Sequence, residues 1–150
     1  ELLDAAGKYF KKLMKNRSER IELEIEPMEA KVIGDVNQLR FLLENLIDEA
    51  LTVREDGVIR LQARKDNEYI RFLFTDTRRE KSVEELNQLF YPNLARMTSG
   101  EKGELRGTEY LVCKQIIRDH DEFAGRRGCR INAEPAEGGG FTVYFTIPRR

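Results

Sequence analysis

The sequence predicts an α/β fold: a two-layer α/β sandwich with a mixed five-stranded sheet and three main helices on one face. Two observations predict it. Segments of helical period are partly interleaved with segments of strict alternation along the chain. Two pairs of the alternating segments are also joined by hairpin-length connections, so part of the sheet is antiparallel.

The elements follow in order. Leu2, Leu3, Ala6, Phe10, Leu13 and Met14 recur at helical spacing with lysines between them, which reads as a first helix. Asn16 to Arg20 is a polar break. Ile21, Leu23 and Ile25 alternate with Glu22, Glu24 and Glu26 in a half-buried strand that Pro27 ends. Asp35, just after Gly34, is placed to cap a second helix whose apolar stripe is Val36, Leu39, Leu43, Leu46, Ile47 and Ala50. Val53 to Gly57 is a turn. Val58 to Arg64 and Tyr69 to Thr75 read as strands joined by Lys65 to Glu68.

Ser82 caps a short helix ending near Phe90, with Glu84 and Glu85 in its first turn, where the helix dipole favours negative charge. Tyr91 to Arg106 has no period and carries Pro92, Gly100 and Gly103, so it reads as a long loop, the kind of segment that serves as a lid or stays disordered. A third long helix runs from about Gly107 to Asp119. Arg130 to Glu134 and Phe141 to Ile147 are strands joined by Pro135 to Gly140. The sequence has no internal repeat and no interior linker.

Composition narrows the class of function. The chain has 150 residues, 26 Lys plus Arg against 27 Asp plus Glu, and a net charge of −1. That is one ordinary domain, long enough to bury roughly 68–70% of the surface its unfolded form exposes. Balanced charge and ample Leu, Ile, Val and Phe exclude disorder as the main state. The same balance speaks against nucleic acid as a partner. Apolar runs such as Phe72-Leu73-Phe74 are far short of the roughly 18–20 residues of a membrane span, so direct membrane contact is not expected. No signal peptide is legible and the first residue is not Met, so the chain is expected to be a piece of something longer. Two cysteines, Cys113 and Cys129, and a single His suit a reducing compartment, and a zinc set would need carboxylate help.

Five strings in order carry a family resemblance that covers essentially the whole chain. Asp35-Val-Asn-Gln-Leu39-Arg-Phe-Leu-Leu43-Glu-Asn45-Leu-Ile-Asp-Glu49-Ala50 resembles the N-box helix of the histidine-kinase-like ATPases, whose usual form is D-x-x-x-L-x-x-x-L-x-N-L-L-x-N-A. Ile70 to Thr77 is similar to the strand ending in D-T-G-x-G, the first glycine box. Glu85 to Phe90 resembles the segment leading to the F box. Gly107 to His120, with Lys114, Ile116, Ile117 and His120 in matching places, resembles the second glycine box and its helix. Arg130 to Pro148 resembles the closing hairpin. The family is the GHKL superfamily, the Bergerat fold, and the part matched is the catalytic and ATP-binding domain of sensor histidine kinases.

The resemblance implies a cytoplasmic domain, residues 1–150, with any membrane anchor elsewhere in the full-length protein. It implies ATP and Mg²⁺ as cofactors, and as partners the protein's own dimerisation domain and a response regulator. It implies Asn45, Glu49, Asp76 and Gly107 as nucleotide-site positions. Asp76 matches the carboxylate that accepts the adenine amino group. Glu49 stands where the family's second Asn supplies an oxygen to Mg²⁺, which makes it the candidate metal ligand, and carboxylates do suit that ion.

The residues that carry the chemistry depart from the pattern. Asn45 and Glu49 are i and i+4 and share a helix face. Glu49, however, sets a full negative charge beside triphosphate, and a like-charge pair at roughly 4 Å costs about 4 kcal/mol even at an effective dielectric of 20. The D-T-G-x-G string is Asp76-Thr77-Arg78-Arg79-Glu80, so long side chains stand where glycine lets the base approach. The three glycines of the second box fall at Leu105, Gly107 and Glu109, and Glu109 competes for the positive helix end that a phosphate uses.

Plainer readings stand beside these. Asn45 is then a polar residue on a solvated helix face, Glu49 a surface charge, and Asp76 a turn former. His120 is a packing or capping residue, Cys113 a core hydrophobe, and Arg126, Arg127 and Arg130 a solvated loop. Two functions compete. One is a degenerate module of a sensor histidine kinase-type protein with weak or no ATP binding, a pseudokinase acting through protein contacts. The other is an active kinase core that phosphorylates a His on a separate dimerisation domain. A serine-kinase anti-sigma factor of the same superfamily would need the same nucleotide residues.

Overall fold

The computed structural model describes residues 1–26, 28–92, 98–99, 105–106, 108–125 and 128–150. The elements in chain order are α1 (Leu2–Met14), β1 (Ile21–Ile25), α2 (Val36–Ala50), β2 (Gly57–Asp66), β3 (Tyr69–Asp76), α3 (Val83–Gln88), β4 (Thr98–Ser99), β5 (Leu105–Arg106), α4 (Glu109–Ala124), β6 (Ile131–Pro135) and β7 (Phe141–Pro148). Five strands form one sheet in the order β1-β2-β3-β7-β6. β1 pairs with β2 in parallel and the other three pairings are antiparallel, so the sheet is mixed.

Alternation decides which side chains face the helices. On β2, Ile59, Leu61 and Ala63 are buried; on β3, Ile70, Phe72 and Phe74; on β7, Val143, Phe145 and Ile147. The register sets Phe72 opposite Phe145, and their rings stack with centroids 4.9 Å apart. Against this face lie Ala6 and Phe10 from α1, Leu39, Leu42, Leu43, Leu46 and Ile47 from α2, and Tyr110, Cys113, Ile116 and Ile117 from α4. Each large side chain buried in this layer contributes roughly 1.5–3 kcal/mol. The central helix α2 is thus fixed along its length, and so is any residue on its flank.

Both ends of α2 are built locally. Asp35 caps it, its Oδ1 accepting from the N–H groups of Asn37 and Gln38 at 2.9 and 3.2 Å. Residues after Ala50 turn through Val53 and run to Gly57, where β2 begins. α3 carries a complete capping box between Ser82 and Glu85.

Three elements differ from the expected bounds. The β2–β3 turn is tighter, with Asn67 at φ 56° between strands that run to Asp66 and restart at Tyr69. α4 continues past Asp119 to Ala124, because no residue breaks it until Gly125, which ends it at φ 62°. The polar run from His120 to Glu122 hides that extension, and Phe123, which follows the run, is 90% exposed. Most of the expected loop from Tyr91 to Arg106 lies outside the described residues, but Thr98–Ser99 and Leu105–Arg106 pair as a short antiparallel ladder.

Candidate functional site

The expected nucleotide positions that the structure describes lie on two elements, the flank of α2 and the end of β3. Gly107 lies outside the described residues, as do Arg126 and Arg127. Asn45, Glu49 and Asp76 are all described.

Asp76 ends β3 and is buried, and its charge is met by one side chain. The Arg78 guanidinium lies against the carboxylate, Nε 2.9 Å from Oδ1 and Nη2 2.8 Å from Oδ2. The Arg78 N–H also donates to Oδ1 at 3.0 Å, closing a local turn. The Arg78 and Asp76 side chains are only 1% and 6% exposed. Burying two charges is costly unless every remaining donor is met. Here they are met: Nη1 donates to the carbonyls of Val53 at 2.9 Å and Glu55 at 3.1 Å, and Nη2 to that of Ala50 at 2.5 Å. The guanidinium therefore ties the end of β3 to the segment leaving α2.

Two glycines make this packing possible. Gly57, at φ 150°, has no Cβ, and a Cβ there would run into the Arg78 stem at Cγ. Gly140, at φ 83°, sits on the backbone of Asp76 and Thr77, where a Cβ would strike the Asp76 carbonyl oxygen. Neither Gly57 nor the three carbonyls was legible as part of the site. An Arg two residues after a strand-end Asp was the available signal, since its planar fork matches a carboxylate.

On α2, Asn45 is 7% exposed, and its Nδ2 donates to the Phe41 carbonyl at 2.8 Å. It is therefore not on a solvated face. Glu49 is half-buried one turn on. Among the described residues, Asp48, Glu49 and Glu109 lie along this seam. Burial raises the Asp48 pKa, a hydrogen bond from the Tyr9 hydroxyl at 2.6 Å works against that rise, and the Glu109 charge adds to it. Burial raises the Cys113 thiol as well, with further contributions from Glu109 and Glu49. Glu109, in the first turn of α4, has one buried oxygen, Oε2, without a hydrogen-bond partner. Two carboxylates, Glu49 and Glu109, thus bear on one stretch of the α2–α4 seam.

His120 is structural. Its Nδ1 donates to the Ile116 carbonyl at 2.8 Å, and its Nε2 accepts the Asp35 N–H at 3.0 Å, which assigns a neutral ring with the proton on Nδ1. Cys113 is fully buried, with Sγ 3.6 Å from the Leu42 carbonyl.

The described residues do not fit ATP with Mg²⁺ as they stand. An adenine amino group cannot reach Asp76 without displacing Arg78, because the two side chains are paired and buried. Along α2, Glu49 stands where the resemblance puts a neutral Asn, and Glu109 bears on the same seam at Cys113. Among the described residues, no group of three or more His, Cys, Asp and Glu is placed to hold a metal ion. Cavities of about 590 and 650 Å³ open elsewhere, one beside Leu2, Met28 and Val32 and one beside Ile33, His120 and Phe123. Neither is lined by Asn45, Glu49 or Asp76. Among the described residues, no helix is long and apolar enough to cross a membrane.

Comparison with known proteins bears on the fold directly. Residues 34–150 match the sequence model of the family described as "Histidine kinase-, DNA gyrase B-, and HSP90-like ATPase". No curated protein matches the chain by sequence. Among solved structures, the nucleotide-free catalytic domain of the histidine kinase ThkA superposes with a TM-score of 0.74 at 21% identity, over 99% of this chain and 91% of that one. A mycobacterial sensor histidine kinase, MprB, gives 0.69 at 18% identity over 98% and 93%. Full-length ShkA in complex with AMPPNP gives 0.71 at 16% identity over 99% of this chain and 30% of that one. ThkA has also been solved with the response regulator TrrA; there the match has a TM-score of 0.70 at 19% identity over 100% of this chain and 40% of the other.

Proposed function

The chain belongs to the histidine kinase-, DNA gyrase B- and HSP90-like ATPases, and from that membership we propose that it is the ATPase-like domain of a sensor histidine kinase-type signalling protein, degenerate in its nucleotide site, with weak or no ATP binding. One observation carries the reading: the carboxylate in the base-binding position, Asp76, is sealed under the guanidinium of Arg78. Glu49, where the resemblance places a neutral Asn, and Glu109 both bear on Cys113, and carboxylates along this seam oppose a bound triphosphate. The domain then works in the cytoplasm as a pseudokinase module, through contacts with its own dimerisation domain and with a response regulator. Any surviving nucleotide contacts would come from Asn45, Glu49, Asp76 and Gly107, with Glu49 the candidate for Mg²⁺.

The alternative is an active kinase core in which Arg78 swings out when ATP arrives. The favourable partner set of the guanidinium opposes that, since leaving it strips five hydrogen bonds from one side chain. Reversion separates the two. The triple change Glu49→Asn, Arg78→Gly and Glu80→Gly is expected to raise ATP affinity above that of the parent. An unchanged affinity would contradict the assignment of these positions as the block.

A further inference from the structure

The base end of the site is lined in a way that does not suit a base. The groups around the Arg78 side-chain nitrogens are the two Asp76 oxygens and the carbonyl oxygens of Ala50, Val53 and Glu55. All of them accept hydrogen bonds and none donates. We propose that this end of the site is a guanidinium receptor, with Arg78 as its resident ligand, and that once emptied it takes a free alkylguanidinium ion in preference to adenine. The proposal rests on the reading of a degenerate site and gives that site a ligand class.

The argument is one of matching donors to acceptors. A guanidinium is planar, always charged, and carries only donors in a fixed fork. Its fork meets the carboxylate edge in a bidentate pair at 2.9 and 2.8 Å. Its outer N–H groups are directed at the three carbonyls, at 2.9, 3.1 and 2.5 Å. Adenine brings one amino group and several ring nitrogens that accept. Placed here, its amino group would find Asp76, but the acceptor nitrogens beside it would face more acceptors. Adenine is also neutral, so the Asp76 charge would stay buried without a counter-charge.

Gly57 shows the same fit from the other side. Its missing Cβ leaves the groove in which the Arg78 stem lies. An alkyl group on a free guanidinium would follow that groove, which is why an ethylguanidinium ion is the suitable probe.

The test uses Arg78→Ala in this chain, with melting temperature read against ethylguanidinium chloride, sodium chloride and adenosine at matched low-millimolar concentrations. Ethylguanidinium is expected to raise the melting temperature saturably, by roughly 3–6 °C at ten times its dissociation constant. Sodium chloride is expected to do nothing comparable, and adenosine less than ethylguanidinium. The parent chain and Arg78→Ala combined with Asp76→Asn are expected to show no saturable rise. A rise with adenosine equal to or above that with ethylguanidinium would overturn the proposal, as would no rise with ethylguanidinium. If Arg78→Ala does not fold, nitrogen-15 NMR of the parent decides: hindered rotation and slow exchange of the Arg78 N–H groups support the receptor, and rapidly averaged signals overturn it. ATP binding by the parent would instead overturn the degenerate reading, and it is measured on a different protein with a different ligand.

Discussion

Arg78 and Asp76, two residues apart at the end of β3, form a bidentate ion pair with Nε–Oδ1 2.9 Å and Nη2–Oδ2 2.8 Å, and both side chains are almost wholly buried. Removing one partner leaves a buried charge unmet. Arg78→Met is therefore expected to destabilise the domain by about 3–5 kcal/mol. Asp76→Asn should cost a comparable amount, and the double mutant less than the sum of the two. Urea denaturation of the four proteins measures this.

Gly57 is coupled to the same side chain. Gly57→Ala strains a backbone at φ 150° and drives a Cβ into the Arg78 stem, so a loss of about 1–3 kcal/mol is expected. In an Arg78→Ala background the clash is gone and only the backbone strain remains. The cost of Gly57→Ala should be smaller there, and a double-mutant cycle reads the difference.

His120, held within α4 by a hydrogen bond to the Ile116 carbonyl, joins that helix to the start of α2 by accepting the Asp35 N–H. His120→Phe keeps the ring and removes both bonds, leaving the Asp35 N–H and the Ile116 carbonyl without these partners. A loss of about 1–3 kcal/mol is expected. Hydrogen exchange at the first turn of α2 should quicken with it.

Asp48 sets a pH dependence. Its folded pKa is raised, first by burial, with the Glu109 charge adding to the rise. A carboxylic acid with a raised folded pKa favours the folded state below its unfolded value, near 3.9, and loses that contribution as pH climbs through the raised value. Asp48→Asn stays neutral throughout and can still accept from Tyr9. The stability of Asp48→Asn relative to the parent should therefore increase from pH 3 to pH 7. A constant or falling difference would contradict the assignment.

Much of this molecule is legible in its sequence, and the exceptions have physical causes. The alternation of Ile70, Phe72 and Phe74 predicts β3, and that of Phe141, Val143 and Phe145 predicts β7, because every second residue answers to the helix-covered face, although Thr142 and Thr146 on the other face of β7 are buried too. Asp35 and Ser82 announce helix starts because capping is local. The end of α4 is not legible, since Asp121 and Glu122 look like loop residues and only Gly125 stops the helix. The site divides the same way. Arg78 stands out as a wrong residue for a glycine position. Its partners at Ala50, Val53 and Glu55 are backbone carbonyls 28, 25 and 23 residues away in sequence, and a carbonyl carries no side-chain signature. The burial of Asn45 likewise comes from tertiary packing, which its place in the helical pattern does not carry.

Titration calorimetry of ATP with Mg²⁺ into the parent chain tests the central claim most directly. With Asp76 held by Arg78, and with Glu49 in place of a neutral Asn, the expected result is no saturable heat into the millimolar range. A micromolar dissociation constant would contradict the account.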